Sequence, residues 1–209
     1  MLSQEQIAEN KNKFIELLDS LDVDVSALIA YLETTDFFVA PASTKYHAAY
    51  EGGLCEHSLQ VYYNMKALIS AFNATDNLVL NDDSVKIVAL LHDISKVNSY
   101  EVYSKNEKVY SENGKKQDNL GYFDWVTSLN YKVKDSADRF VCVDHDVNSA
   151  YIVSRFLTLS TEEFAAIANH SGGMTNKFSN NDLNEIFKRF PLALFLHQAD
   201  MMACYYQNI

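Results

Sequence analysis

Glycine and proline are scarce, six and two in 209 residues. A chain of many short strands needs turn residues every few positions, so this scarcity excludes an all-β sandwich or barrel and predicts a mainly helical fold. Basic residues are also few. Seventeen Lys and Arg against 28 Asp and Glu leave a formal net charge of −11. That balance argues against a nucleic-acid binder built on a broad basic face, while leaving room for a local basic pocket that holds a phosphate. Cysteine occurs only at Cys55, Cys142 and Cys204, an odd number without a C-x-x-C pair, so neither a disulfide framework nor a zinc ribbon is expected. No apolar run approaches the roughly 20 residues that cross a bilayer. The N-terminal "MLSQEQIAEN" lacks the basic and apolar regions of a signal peptide. The expectation is a soluble cytoplasmic protein with no membrane partner.

Apolar side chains are abundant. At 48% of 209 residues they can bury one substantial core, which fits a single domain with at most a short N-terminal extension. Ser3 and Gln6 make a capping box ahead of Ile7, Phe14, Leu17 and Leu18 at helical spacing, which predicts a first helix over about residues 3–20. A second helix fits "DVSALIAYLET" from Asp24. "FFVAPASTKYHAAYEGG" carries the breakers Pro41, Gly52 and Gly53 and reads as irregular, with Gly53 opening a long helix through "GLCEHSLQVYYNMKALISAF". Asp82 or Asp83 is the expected cap of "DDSVKIVALLHDISKV". Residues 99–133 alternate aromatic or Val with polar residues on either side of "SKNEK", predicting one or two short β-hairpins whose Tyr-rich faces form a flap. Helix resumes at Asp144, and Ser160 with Glu163 makes another capping box. "SGGMTNKFSNND" reads as a loop, and "FPLALFLHQADMMACYYQ", apolar nearly all round, as a helix central to the bundle.

"VALLHDISKV", residues 88–97, ends an apolar run with two ionisable side chains, His92 and Asp93, each costing several kcal/mol if buried without a partner. A lone His on an apolar face is more often a hydrogen-bonded core residue than a ligand. Adjacent helical residues point about a quarter turn apart, so this pair serves one locus only if other helices bring partners to it. A metal supplies the missing reason. Imidazole and carboxylate together suit Mn, Fe, Co, Ni or Zn, and a carboxylate can bridge two ions, a role that falls to Asp93. His57, His145, His170 and Asp200 would complete a set of four His and two Asp. Periodicity alone does not show that the fold gathers them.

The order His57, His92-Asp93, His145, His170, Asp200 resembles the H…HD…H…H…D signature of the HD-domain superfamily of metal-dependent phosphohydrolases. "GGLCEHSLQV" resembles the first-His helix of that superfamily, "LLHDISK" its HD-x-x-K core, "ANHSGG" its late His motif and "HQADMMA" its closing Asp helix. "APASTKYHAAYEGGLCEHSLQV" is most similar to the HD domain of the YhaM-type 3′-5′ exoribonucleases. The resemblance covers about residues 36–205, so residues 1–209 are read as one HD domain with a helical extension over residues 1–35. It implies an HD-domain helical bundle, the hairpins being inserted between the HD helix and the third-His helix. The chain departs from the pattern at Ser95, and at Asn148 and Ser149, where the family usually has Gly. Asn169 occupies the first place of a frequent His pair, so only His170 is carried over and a third ion is not expected. The first 35 residues are too short and too helical for the OB-fold of the YhaM-type enzymes.

The resemblance also implies the chemistry. Two divalent ions, from Mn, Fe, Co, Ni, Zn or Mg, would be held by His57, His92, Asp93, His145, His170 and Asp200. They would activate a water for attack on phosphorus in a nucleotide or other small phosphorylated substrate. Asp93 would bridge them, and Lys96 would stabilise charge on the phosphate or else form a salt bridge fixing a neighbouring helix. His47 would bind phosphate or protonate the leaving group. His197 is read as a partner of a ligand or as a core residue, and Tyr100, Tyr103, Tyr110 and Trp125 as rings that either stack on a base or simply cover the core. The alternatives are an exoribonuclease-like phosphodiesterase, which the charge disfavours, a di-iron oxygenase resembling inositol oxygenase with the same ligand set, and a non-catalytic sensor.

Overall fold

A computed structural model describes residues 1–76, 79–172 and 180–206. Helix α1 (Gln4–Asp19) starts where the sequence predicts. The Gln6 N–H donates to the Ser3 hydroxyl at 3.2 Å, and the Ser3 N–H donates to the Gln6 side chain at 2.8 Å. Its Phe14 packs on Phe37 and Phe38, with ring centroids 4.9 and 5.7 Å away, so the N-terminal helix shares the main core. In α2 (Ser26–Glu33), Asp24 accepts from the Ser26 N–H just ahead of the first turn, and Val25 stands at the cap. An irregular segment follows and leads into α3 (Gly53–Asp76). Glycine is required at 53, because a Cβ there would lie 2.1 Å from the Ala48 carbonyl oxygen.

Helix α4 (Asp82–Leu91) is capped by Asn81, whose side chain accepts from the Ser84 N–H at 3.0 Å, and not by Asp82 or Asp83. The two acids sit in the first turn, where the helix dipole favours them, and they pair with Lys86 at 3.0 and 3.2 Å. Residues 85–91 are buried on every side, which makes α4 a central helix. It gives way to a short 3₁₀ turn, Ile94–Lys96.

The expected hairpins are one three-stranded antiparallel sheet: β1 (Tyr100–Tyr110), β2 (Lys116–Asp118) and β3 (Gly121–Val133), in the order β1-β3-β2. "SKNEK" does not turn. Ser104 lies opposite Leu129 and Lys108 opposite Trp125, so β1 runs through it unbroken. Those five residues contain neither Gly nor Pro, and their polar side chains are tolerated because β1 is solvated along almost its whole length. The chain turns instead at residues 111–115, around Gly114, where a Cβ would lie 2.4 Å from the backbone N of Phe123.

Helix α5 (His145–Ser154) is capped by Asp144, and α6 (Thr161–Ala168) by the expected Ser160–Glu163 capping box. The loop assigned to "SGGMTNKFSNND" lies largely outside the described residues. Its last three residues open α7 (Asn180–Arg189), a helix the periodicity did not disclose. Helix α8 (Pro191–Tyr205) has Pro at its first turn and packs against α3, α4, α6 and α7, with Asn64 of α3 donating to the Ala199 carbonyl at 3.1 Å. The protein is thus a mainly α bundle around α4 and α8 with a small sheet between the HD turn and α5. Among the described residues no helix is long and apolar enough to cross a membrane.

Candidate metal centre

His92 is the last residue to keep helical geometry at the end of α4, and Asp93 leaves it at φ −106°, ψ 14°. That break matters. In a continuing helix the two side chains would diverge by about 100°. Here His92 Nε2 and Asp93 Oδ2 approach to 3.5 Å. From α3, His57 Nε2 lies 3.2 Å from His92 Nε2 and 3.2 Å from Asp200 Oδ1 of α8, and Asp200 is 3.9 Å from His92. On the other side, His170 Nε2 and His145 Nε2 stand 3.5 and 3.9 Å from Asp93 Oδ1. The structure therefore brings together all six side chains singled out in the sequence. Asp93 lies between them, with Oδ2 toward His57 and His92 and Oδ1 toward His145 and His170.

The donor set suits a metal. With ligand bonds of about 2.1 Å, tetrahedral donors sit about 3.4 Å apart, close to the separations found here. Among the described residues four groupings of donors converge: His57, His92, Asp200; His92, Asp93, His170; His145, Asp146, His170; and His47, His57, Cys204. The Nδ1 atoms of His92 and His170 each lie 2.8 Å from a carbonyl oxygen, of Ala89 and Ile167 respectively. A carbonyl only accepts, so both rings carry their proton on Nδ1, and in the neutral form the Nε2 lone pair faces the centre. Asp93 Oδ1 and His57 Nδ1 are buried without a hydrogen bond.

Electrostatics prepare the same chemistry. Burial would raise the Asp93 carboxyl, but the Lys96 ammonium and the neighbouring His92 and His170 rings hold it well below the usual range. Burial works against Asp200 too, and His57 outweighs it. Burial lowers His57 and His145. His170 is the exception: burial opposes its proton, yet Asp146 and Asp93 raise it to about 9. Lys96 keeps its ammonium 2.6 Å from Asp93 Oδ2, inside its own turn and not as a clamp on a neighbouring helix.

The positions that depart from the HD pattern support the site. The Ser95 N–H donates to Ser149 Oγ at 3.2 Å, and Ser95 Oγ donates to the His145 carbonyl at 2.8 Å. Asn148 accepts from the N–H groups of Cys142 and Val143, holding the approach to α5. His197 takes no place in the cluster. Its Nδ1 donates to the His170 carbonyl at 2.8 Å, and its ring stacks on Phe187.

A cavity of about 650 Å³ opens over the centre and is lined by Lys96, His47 and four of the ligand candidates, Asp93, His145, His170 and Asp200. His47 lies ring to ring with His57 at 4.9 Å, and burial together with His57 and Lys96 lowers it to about 4. None of Tyr100, Tyr103, Tyr110 and Trp125 lines this cavity. Tyr100 donates to the Ala42 carbonyl at 3.3 Å, and the other three lie on the solvated sheet. The rings at the mouth are Tyr46 and Tyr205. The sequence also concealed Asp146, buried beside His145 and His170, although "DHD" at 144–146 repeats the His-Asp dipeptide of 92–93.

The helical bundle thus converges imidazoles and carboxylates on one cavity, in groupings able to hold a metal ion. The chain belongs to the HD domain family, which matches residues 54–200. No curated protein and no solved structure matches it.

Proposed function

We propose that the protein is a metal-dependent phosphohydrolase that cleaves a phosphoester or phosphoanhydride bond of a nucleotide or similar small phosphorylated substrate. The observation that carries this is the division of Asp93, one oxygen facing His57 and His92 and the other facing His145 and His170. A carboxylate shared between two sets of imidazole donors is what two neighbouring cations require. His57, His92, Asp93 and Asp200 would hold one ion, and His145, His170 and Asp93 the other. Divalent ions of the Mn, Fe, Co, Ni, Zn or Mg type supply an activated water and neutralise charge on the phosphate.

The remaining roles fall to side chains of the cavity. Lys96 lies at its wall beside Asp93 and reaches a phosphate oxygen once Asp93 has other cationic partners. His47 is neutral in the free site, and its buried Nε2 has no hydrogen bond. An anionic substrate against it favours the imidazolium, which binds phosphate and holds a proton for the leaving oxygen. Tyr46 and Tyr205, both largely exposed at the mouth, offer ring faces to a base. The cavity volume lies within the ~300–1,000 Å³ of small-molecule sites.

Likeness to the YhaM-type enzymes makes a short RNA the competing substrate, and the net charge of −11 weighs against it. A panel of nucleoside mono-, di- and triphosphates, cyclic nucleotides and short RNA, run separately with Mn, Co, Ni, Mg and Fe, distinguishes the two. Phosphate release from a free nucleotide supports the proposal. Cleavage of RNA alone shifts it to the phosphodiesterase, and turnover that consumes O₂ with two retained irons replaces it with the oxygenase.

A further inference from the structure

We propose that Asp146 is a ligand of the second cation, closing a four-donor set with His145, His170 and Asp93. This rests on the two-ion reading above and adds to it a residue outside the H…HD…H…H…D pattern.

Asp146 lies in the first turn of α5 and is fully buried. Its Oδ1 stands 3.1 Å from His145 Nε2 and 3.6 Å from His170 Nε2. The same two nitrogens lie 3.9 and 3.5 Å from Asp93 Oδ1, an oxygen buried without a hydrogen bond. Each of the two carboxylate oxygens therefore approaches both imidazole nitrogens at 3.1–3.9 Å, around the 3.4 Å or so expected of donors about a shared ion, and His145, Asp146 and His170 form one grouping of convergent donors. The carboxylate is aimed by Ser171, whose hydroxyl donates to Oδ1 at 2.7 Å and whose N–H donates to Oδ2 at 3.2 Å. Outer partners of this kind fix the orientation of metal-binding carboxylates.

With Asp146 included, the two halves of the centre become equivalent. One has His57, His92, Asp200 and Asp93 Oδ2, the other His145, His170, Asp146 and Asp93 Oδ1. Each offers two imidazoles, one carboxylate of its own and one oxygen of the shared carboxylate. Such an N₂O₂ set suits a first-row divalent ion. Without Asp146 the second half has three protein donors against four in the first.

The competing role is orientation: Asp146 accepts a hydrogen bond from His145 and never touches the ion. Asp146→Asn separates the two, because asparagine keeps an acceptor oxygen but is a poor ligand. Metal-free protein is loaded with Mn(II), dialysed, and assayed for bound manganese and by electron paramagnetic resonance. Wild type is expected to hold two equivalents with the broadened signal of a coupled pair. Asp146→Asn is expected to hold one, with the sharp six-line pattern of an isolated ion. Two equivalents with unchanged coupling in Asp146→Asn would overturn the proposal and leave the two-ion reading standing, whereas fewer than two in wild type would overturn both. Circular dichroism checks the fold. Should Asp146→Asn not fold, Asp146→Glu carries the test: it keeps the charge but displaces the oxygen. Tenfold or weaker binding of the second equivalent alone supports the proposal, and unchanged binding sinks it.

Discussion

Ser95 and Ser149, 54 positions apart, hold each other through a hydrogen bond of 3.0 Å between their hydroxyls, and the buried Ser95 N–H also donates to Ser149. Ser95 stands where the HD pattern usually has glycine, and Ser149 belongs with Asn148 to the second departure from that pattern, so the two departures meet in space and tie the HD turn to α5. Ser149→Ala leaves the Ser95 N–H without its acceptor, a loss of about 1–3 kcal/mol for a buried donor. The urea midpoint of metal-free protein should fall with the slope unchanged. An unmoved midpoint would mean that the bond contributes nothing.

Asp93 faces both halves of the centre, so no other single change should remove as much. Asp93→Ala is expected to abolish uptake of both ions and to lower phosphate release by more than ~10³-fold, beyond the loss of a single charge-stabilising donor. Retention of full metal content after dialysis would contradict the bridging role.

Metal binding should release a proton. His170 is raised to about 9 by Asp146 and Asp93 against the effect of burial, so at pH 7.5 the metal-free ring is protonated, while a ligand must be neutral. Affinity should rise with pH up to about 9 and then level off. Titration calorimetry in two buffers of different ionisation enthalpy reads the released proton directly, and identical heats in both would refute the assignment.

The metal-free protein should be most stable near pH 6.5. His47 is lowered from 6.5 to about 4, so the unfolded chain binds more protons in that window and stability falls as pH drops through it. His170 is raised, so its contribution is complete below 6.5 and disappears as pH climbs through about 9. His47→Gln should make the acid side of a melting-temperature profile recorded with chelator present less steep, with the remaining slope left to His57 and His145, and the alkaline side should be unchanged.

Phe14 anchors the N-terminal helix against Phe37 and Phe38. Phe14→Ala should cost about 3–5 kcal/mol, the usual range for an emptied aromatic site in a core. A much smaller loss by denaturant unfolding would show that α1 lies outside the cooperative unit.

Local features were legible in the sequence. The boxes at Ser3–Gln6 and Ser160–Glu163 are complete within four residues, and both form. Asn81 does not stand out in the sequence, because Asp82 and Asp83 beside it are equally good caps and which residue leaves the helix depends on how α4 is packed. "SKNEK" reads as a turn because it is polar, but the chain turns at Gly114, where the Phe123 backbone leaves no room for a side chain. Tyr46 and Tyr205 carry no periodic signal that distinguishes a cavity mouth from any other exposed ring.

The sequence alone determined the helical class, from little glycine and proline with apolar residues at helical spacing, and it named the imidazoles and carboxylates able to do chemistry. The tertiary structure decided their use. It ended α4 at His92 so that His92 and Asp93 face one centre, turned the two oxygens of Asp93 to different histidines, and placed Asp146 beside His145 and His170. Such distances arise from packing between residues far apart in the chain, for which no local pattern of residues encodes an orientation.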